Sequence, residues 1–119
     1  MKRSDTTRIY KILNEGDWSV AEALGQTKTD LDEGDGYVHL SARNQVEETL
    51  RLYYSGQRAA RLLEYIAEDF GEAMQWEASR GGQLFPHLYG PLKIADAQRI
   101  WLLETGETGV PELPEDIDA

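Results

Sequence analysis

A chain of 119 residues with 40% hydrophobic content and a formal charge of -10 is the size of one domain able to bury a core. It is acidic in body and tail alike: residues 105–119 carry five acids and no base, which leaves -5 on residues 1–104. Such a surface repels phosphate backbones, so nucleic acid and anionic membranes are poor partners, while a local basic pocket could still hold one anionic ligand.

Cysteine is absent, which excludes disulfides, thiolate metal sites and a cysteine nucleophile. Metal ligation would have to draw on the two histidines and on carboxylates, and no paired-histidine zinc motif is present. No apolar stretch has the length of a signal-peptide core or a membrane span, and a cytoplasmic protein is the resulting expectation.

Residues 8–13 have the β-branched and aromatic enrichment of a strand, with Ile9, Lys11 and Leu13 on one face and Tyr10 and Ile12 on the other. Lys11 thus lies among apolar neighbours, either as a snorkelling side chain or as a functional one. Asn14 is placed to cap a helix with Glu15 and Asp17 in its first turn, and Trp18, Ala21 and Leu24 recur at helical spacing until Gly25. Residues 26–36, polar and bearing Gly34 and Gly36, read as a loop.

Residues 36–41 read as the next strand, with Tyr37, His39 and Ser41 on one side and Val38 and Leu40 on the other. Ser41 stands where a helix N-cap is expected, before Ala42, Val46, Leu50 and Tyr53 at helical spacing and the stop at Gly56. Residues 60–67 are apolar on both faces, the mark of a central strand. A short turn, a short strand at 75–78 and a punctuated segment over 80–92 follow, read as an ordered loop pinned by Leu84, Phe85, Leu88 and Tyr89. Residues 97–103 read as a closing strand, and 105–119 as a mobile acidic tail. The order predicts one α+β domain over 8–104, with a mixed, mainly antiparallel sheet and two main helices.

His39 and His87 are the only histidines, each with a hydroxyl two residues on, in His39-Leu40-Ser41 and His87-Leu88-Tyr89. Imidazole can serve as acid, base or donor near neutral pH. Pro86 and Pro91 stiffen the backbone around His87, which suits a preorganised site and equally a loop that keeps its shape. Arg80-Gly81-Gly82 could offer a guanidinium and backbone N–H groups to an anion, or be a plain turn. Glu77 beside Trp76 would be raised in pKa if buried, or be an exposed edge glutamate.

The segments Ile9-Tyr10-Lys11-Ile12, Trp18, Asp35-Gly36-Tyr37-Val38-His39-Leu40-Ser41, Gln45, Trp76-Glu77, Gly82 and Phe85-Pro86-His87-Leu88-Tyr89-Gly90-Pro91-Leu92 together resemble the uncharacterised family called domain of unknown function 952. The likeness runs over about residues 8–104. It implies an ADP-ribosylation-like fold, similar to that of NAD-splitting toxins and RNA 2'-phosphotransferases. Val38-His39-Leu40-Ser41 is similar to a segment of the phosphotransferases' NAD-handling pocket, whereas their tyrosine-histidine pair is matched only by Tyr10-Lys11. An ammonium only donates hydrogen bonds, so such a pocket should favour an anionic or carbonyl group.

The expectation is a protein that binds NAD, ADP-ribose or a related nucleotide, with possible ADP-ribosyl or phosphoryl transfer; the alternative is a non-catalytic module for a small anion. His39, His87 and Glu77 are the catalytic candidates, and Lys11, Tyr10, Ser41, Arg80 and Tyr89 the ligand-binding ones. NAD is the one cofactor the resemblance suggests. No counterpart of the toxins' catalytic glutamate is evident, and Glu77 takes that place by default.

Overall fold

The computed structural model describes residues 6–119, and of Arg80 the backbone alone. The first strand, β1 (Arg8–Asn14), hands directly to helix α1 (Glu15–Leu24). Asn14 caps that helix by accepting from Asp17 N–H at 2.7 Å, and Gly25 ends it in the left-handed region. The two faces of β1 separate as their alternation predicts. Ile9 and Leu13 enter a core with Trp18, Ala21, Val38 and Leu40, while Tyr10 and Ile12 enter a second core with Val46, Leu50, Leu62 and Leu103.

The segment expected as a loop contains a short helix, α2 (Asp30–Asp35). Thr29 accepts from Asp32 N–H at 3.2 Å, Asp30, Asp32 and Glu33 lie in its first turn, and Gly36 closes it at φ 82°. Its one large apolar residue, Leu31, is exposed, so no hydrophobic periodicity announces it.

The next expected strand divides between two sheets. Residues Val38–His39 form β2 and Ser41–Ala42 form β3, with Leu40 at the crossing. One sheet has the order β3-β1-β4-β7, where β4 is Ala59–Ile66 and β7 is Arg99–Glu104. The other has the order β2-β6-β5, where β5 is Met74–Ala78 and β6 is Leu84–Leu88. The strand pairings are antiparallel, so the expected single mixed sheet is two antiparallel ones. β4 is central as its two apolar faces imply.

Ser41 is not a helix cap. Its hydroxyl lies 3.3 Å from that of Thr49, and helix α3 (Val46–Tyr53) begins only after a 3₁₀ turn over Arg43–Gln45. Gln45 anchors that start, accepting from Ala42 N–H and donating to the Leu84 carbonyl.

Residues 84–88 of the punctuated segment are strand rather than loop. Pro86 sits inside β6, the middle strand of its sheet, a position normally closed to proline. It is tolerated because its carbonyl accepts from Leu40 N–H at 3.0 Å, so its proton-less nitrogen faces the same side, where β2 has already left the sheet.

Residues 105–119, expected as a mobile tail, lie against the body. Ile117 is 4% exposed within the second core. Arg99 donates to the Asp116 and Ile117 carbonyls and to the buried Glu64 carboxylate, Trp101 donates to Asp116, and Arg43 pairs with Asp118. Composition marks this stretch as polar; the arginines that hold it come from elsewhere in the chain. Replacing Ile117 by Ala should therefore cost about 2–4 kcal/mol in urea unfolding, a core-sized loss, whereas a free tail would show no change.

Candidate functional site

Lys11 is 5% exposed in the first core face of β1, and a bare ammonium there would be costly. Its Nζ donates to Asp32 Oδ2 at 2.8 Å and to the His39 carbonyl at 2.9 Å. The other oxygen of Asp32 accepts from His39 N–H at 3.1 Å and meets His39 Nδ1 at 2.6 Å. One carboxylate thus ties β1, α2 and β2 together. Burial would raise the Asp32 carboxyl, but the His39 bonds and the Lys11 ammonium outweigh it and bring it down to about 2. Burial pushes the Lys11 ammonium below the ordinary lysine range, with Asp32 opposing.

His39 and His87 are direct cross-strand partners on β2 and β6, with ring centroids 5.5 Å apart. Tyr37 stacks on His87 at 4.2 Å and leans on His39 and Tyr89. The two imidazoles differ in what remains free. Both nitrogens of His39 face carboxylates, Nδ1 that of Asp32 and Nε2 that of Asp35 at 2.9 Å.

His87, 3% exposed, meets Glu77 Oε1 through Nδ1 at 2.8 Å, and Nε2 has no partner among the described residues. Bonds from Tyr89 and then His87 hold the half-exposed Glu77 carboxyl below the usual range, opposite to the rise expected from burial beside Trp76. An ionised Glu77 only accepts, so Nδ1 is the donor in this bond, and in the neutral ring Nε2 then presents a lone pair.

Lys11, Asp32, His39 and His87 border a cleft of about 620 Å³. Its floor is the part of β1 beyond Tyr10, where β3 no longer pairs, and Tyr54 covers the Ile12 carbonyl at 3.0 Å. Thr29 to Asp32 of α2 form one wall, Thr49 and Tyr53 of α3 the other, and His39, Ser41, Phe85 and His87 the end.

Lys11, His39, Ser41 and His87 thus meet in one place, with Glu77 and Tyr89 behind His87. Tyr10 borders the cleft too, but its hydroxyl leaves for Glu64 at 2.9 Å, and burial followed by that bond pushes it up to about 12. The Arg80 side chain lies outside the described residues. The glycines beside it serve a turn: both have positive φ, and Gly82 N–H donates to the Ser79 carbonyl. Asp32, Asp35 and Tyr37 are not among the site candidates read from the sequence, although Asp35 and Tyr37 lie in the segment that carries the family resemblance and Tyr37 shares the face of His39. The one local signal for Asp32 is the Thr29-x-x-Asp32 cap.

A family model described as "Protein of unknown function (DUF952)" matches residues 12–100. The crystal structure of protein CC0527 from Caulobacter crescentus is 42% identical, with a TM-score of 0.87, covering 95% of this chain and 100% of that one. The solution NMR structure of the same protein gives 0.80 at 42% identity, covering 92% and 96%. No curated protein matches. Among the described residues no helix is long and apolar enough to cross a membrane.

Two outcomes test the Lys11–Asp32 knot. Lys11→Met should cost about 3–5 kcal/mol in urea unfolding, because it strands a buried carboxylate, and adding Asp32→Asn should cost less than the sum of the two single changes. The depressed Asp32 carboxyl contributes stability that is complete above its ordinary value of 3.8 and is lost as pH falls through about 2. The His39 amide signal, followed by NMR through that window, should move with it.

Proposed function

The chain belongs to the DUF952 family, and within it we propose that this protein binds a small polar ligand in the cleft and moves a proton on it, with His87 Nε2 as the acting atom. The observation that carries this reading is the state of His87: a buried ring in the cleft wall, its Nδ1 proton committed to Glu77, its Nε2 unpartnered among the described residues. Nε2 takes a proton from a ligand O–H or N–H and returns it later, while Glu77 orients the ring and stabilises the imidazolium that forms in between. The Ser41 hydroxyl adds a neutral polar group to the cleft lining, where the Ile12 carbonyl already accepts from Tyr54. His39, with both nitrogens against carboxylates, positions α2 and is no proton carrier in this scheme.

A second reading is nucleotide binding, of NAD or ADP-ribose, with ADP-ribosyl or phosphoryl transfer on an ADP-ribosylation-like fold. It is favoured by the pairing of Tyr10 with Ser41, which joins the two segments that resemble the phosphotransferases' pocket. Opposing it, Lys11 is already spent on Asp32 and the His39 carbonyl, so the cation expected to select an anion is neutralised. The same fact weakens a non-catalytic small-anion module.

A titration followed on the His87 ring signals by NMR tests these readings, with NAD, ADP-ribose, 2'-phosphorylated RNA and a set of small polar fragments as probes. A cleft ligand should shift the His87 ring carbon signals, and His87→Gln should weaken it about ten-fold, the value of one hydrogen bond to a buried acceptor. His39→Gln should instead reduce the stability of α2. If every probe that binds leaves His87 unmoved, the proposal fails.

A further inference from the structure

We infer that the ligand of this cleft is a small organic cation bearing an apolar group, an alkyl- or arylammonium compound, in preference to a phosphorylated one. The inference rests on the reading of the cleft as the ligand site and specifies its chemistry.

Charge is the first support. Among the described residues, Asp17, Asp30 and Asp32 line the cleft against the ammonium of Lys11. Lys11 and Asp32 cancel each other at 2.8 Å, which leaves the carboxylates of Asp17 and Asp30 without an ion-pair partner among the described residues. Burial raises the Asp17 carboxyl first; Lys11 pulls it back, and Asp30 and Asp32 add smaller repulsions, so Asp17 feels the other two acids of the cleft. A phosphate would add to that repulsion; an ammonium relieves it.

Two further observations are independent of the acids. His87 lines the cleft with its Nδ1 taken by Glu77, and in the neutral ring that donates there Nε2 is a hydrogen-bond acceptor, which an N–H donor satisfies and a phosphate oxygen does not. At the mouth, Leu31 of α2 is 62% exposed, so one large apolar side chain flanks the opening. An apolar or aromatic group seated against it would be removed from water while the ammonium reaches the carboxylates. The cleft volume suits a ligand of that size.

Calorimetry and His87-resolved NMR on the full chain, with phenethylammonium and tryptammonium as probes and phenylpropionate and ADP-ribose as anionic counterparts, decide the matter. The amines should bind more tightly than phenylpropionate by at least about ten-fold, weaken in high salt, and lose about five-fold in each of Asp17→Asn and Asp30→Asn, the scale of one partly screened charge contact. Both aspartates lie near the surface, and thermal melts of the variants would confirm that they remain folded.

Tighter binding of phenylpropionate or ADP-ribose with a shift at His87 would overturn the ligand class and leave the cleft reading intact. Amine binding that leaves His87 and Leu31 signals unmoved would overturn both. No amine binding at millimolar concentration would overturn the class, and the fragment titration with His87 as reporter then decides the cleft separately.

Discussion

The site depends on one buried ion pair. An ammonium at the position of Lys11, facing the first core, can be tolerated only with a carboxylate and a carbonyl within bonding distance. Asp32 meets that need from α2 and spends its second oxygen on the backbone and ring of His39. A helix of six residues with an exposed leucine has no hydrophobic reason to sit where it does. It is held by this carboxylate, assisted by the Asp35–His39 contact, and by holding it the pair erects one wall of the cleft and fixes the orientation of His39.

A second constraint comes from the crossing at Leu40. Because β2 ends at His39 and the chain moves to the other sheet at Ser41, three things follow at one point. Pro86 is accommodated in a middle strand, β1 keeps an uncovered edge beyond Tyr10, and Ser41 faces the same cleft as the two histidines. The cleft is the gap that two sheets leave when one short segment serves both.

The two imidazoles, adjacent and similar in sequence context, have been given different surroundings. Carboxylates at both nitrogens make His39 a fastener for α2. A single carboxylate at Nδ1, with stacking by Tyr37, makes His87 a ring in a fixed tautomer with one nitrogen left over. The segment over residues 80–92 thus contributes a strand with one poised atom, and its glycines are spent on the hairpin turn.

Much of the frame was written locally. The Asn14 cap, the Gly25 stop, the two faces of β1 and the central β4 follow from neighbours within one turn or two strand positions, where the physics is short-ranged. That Val38 and Leu40 turn inward while Tyr37 and His39 share the other side was legible for the same reason. What sequence could not supply were pairings between distant positions. Lys11 finds Asp32 across 21 residues, Gln45 finds Leu84 across 39, and Arg99 finds Glu64 across 35. Neither α2 nor the packed C-terminal segment has an apolar period of its own: α2 is held mainly by charges, and the C-terminal segment by arginines and by Ile117 in the second core, all with partners that lie elsewhere. Residue type alone put His39 and His87 among the candidates; which of them keeps a free nitrogen was decided by where folding placed Asp32, Asp35 and Glu77 around them.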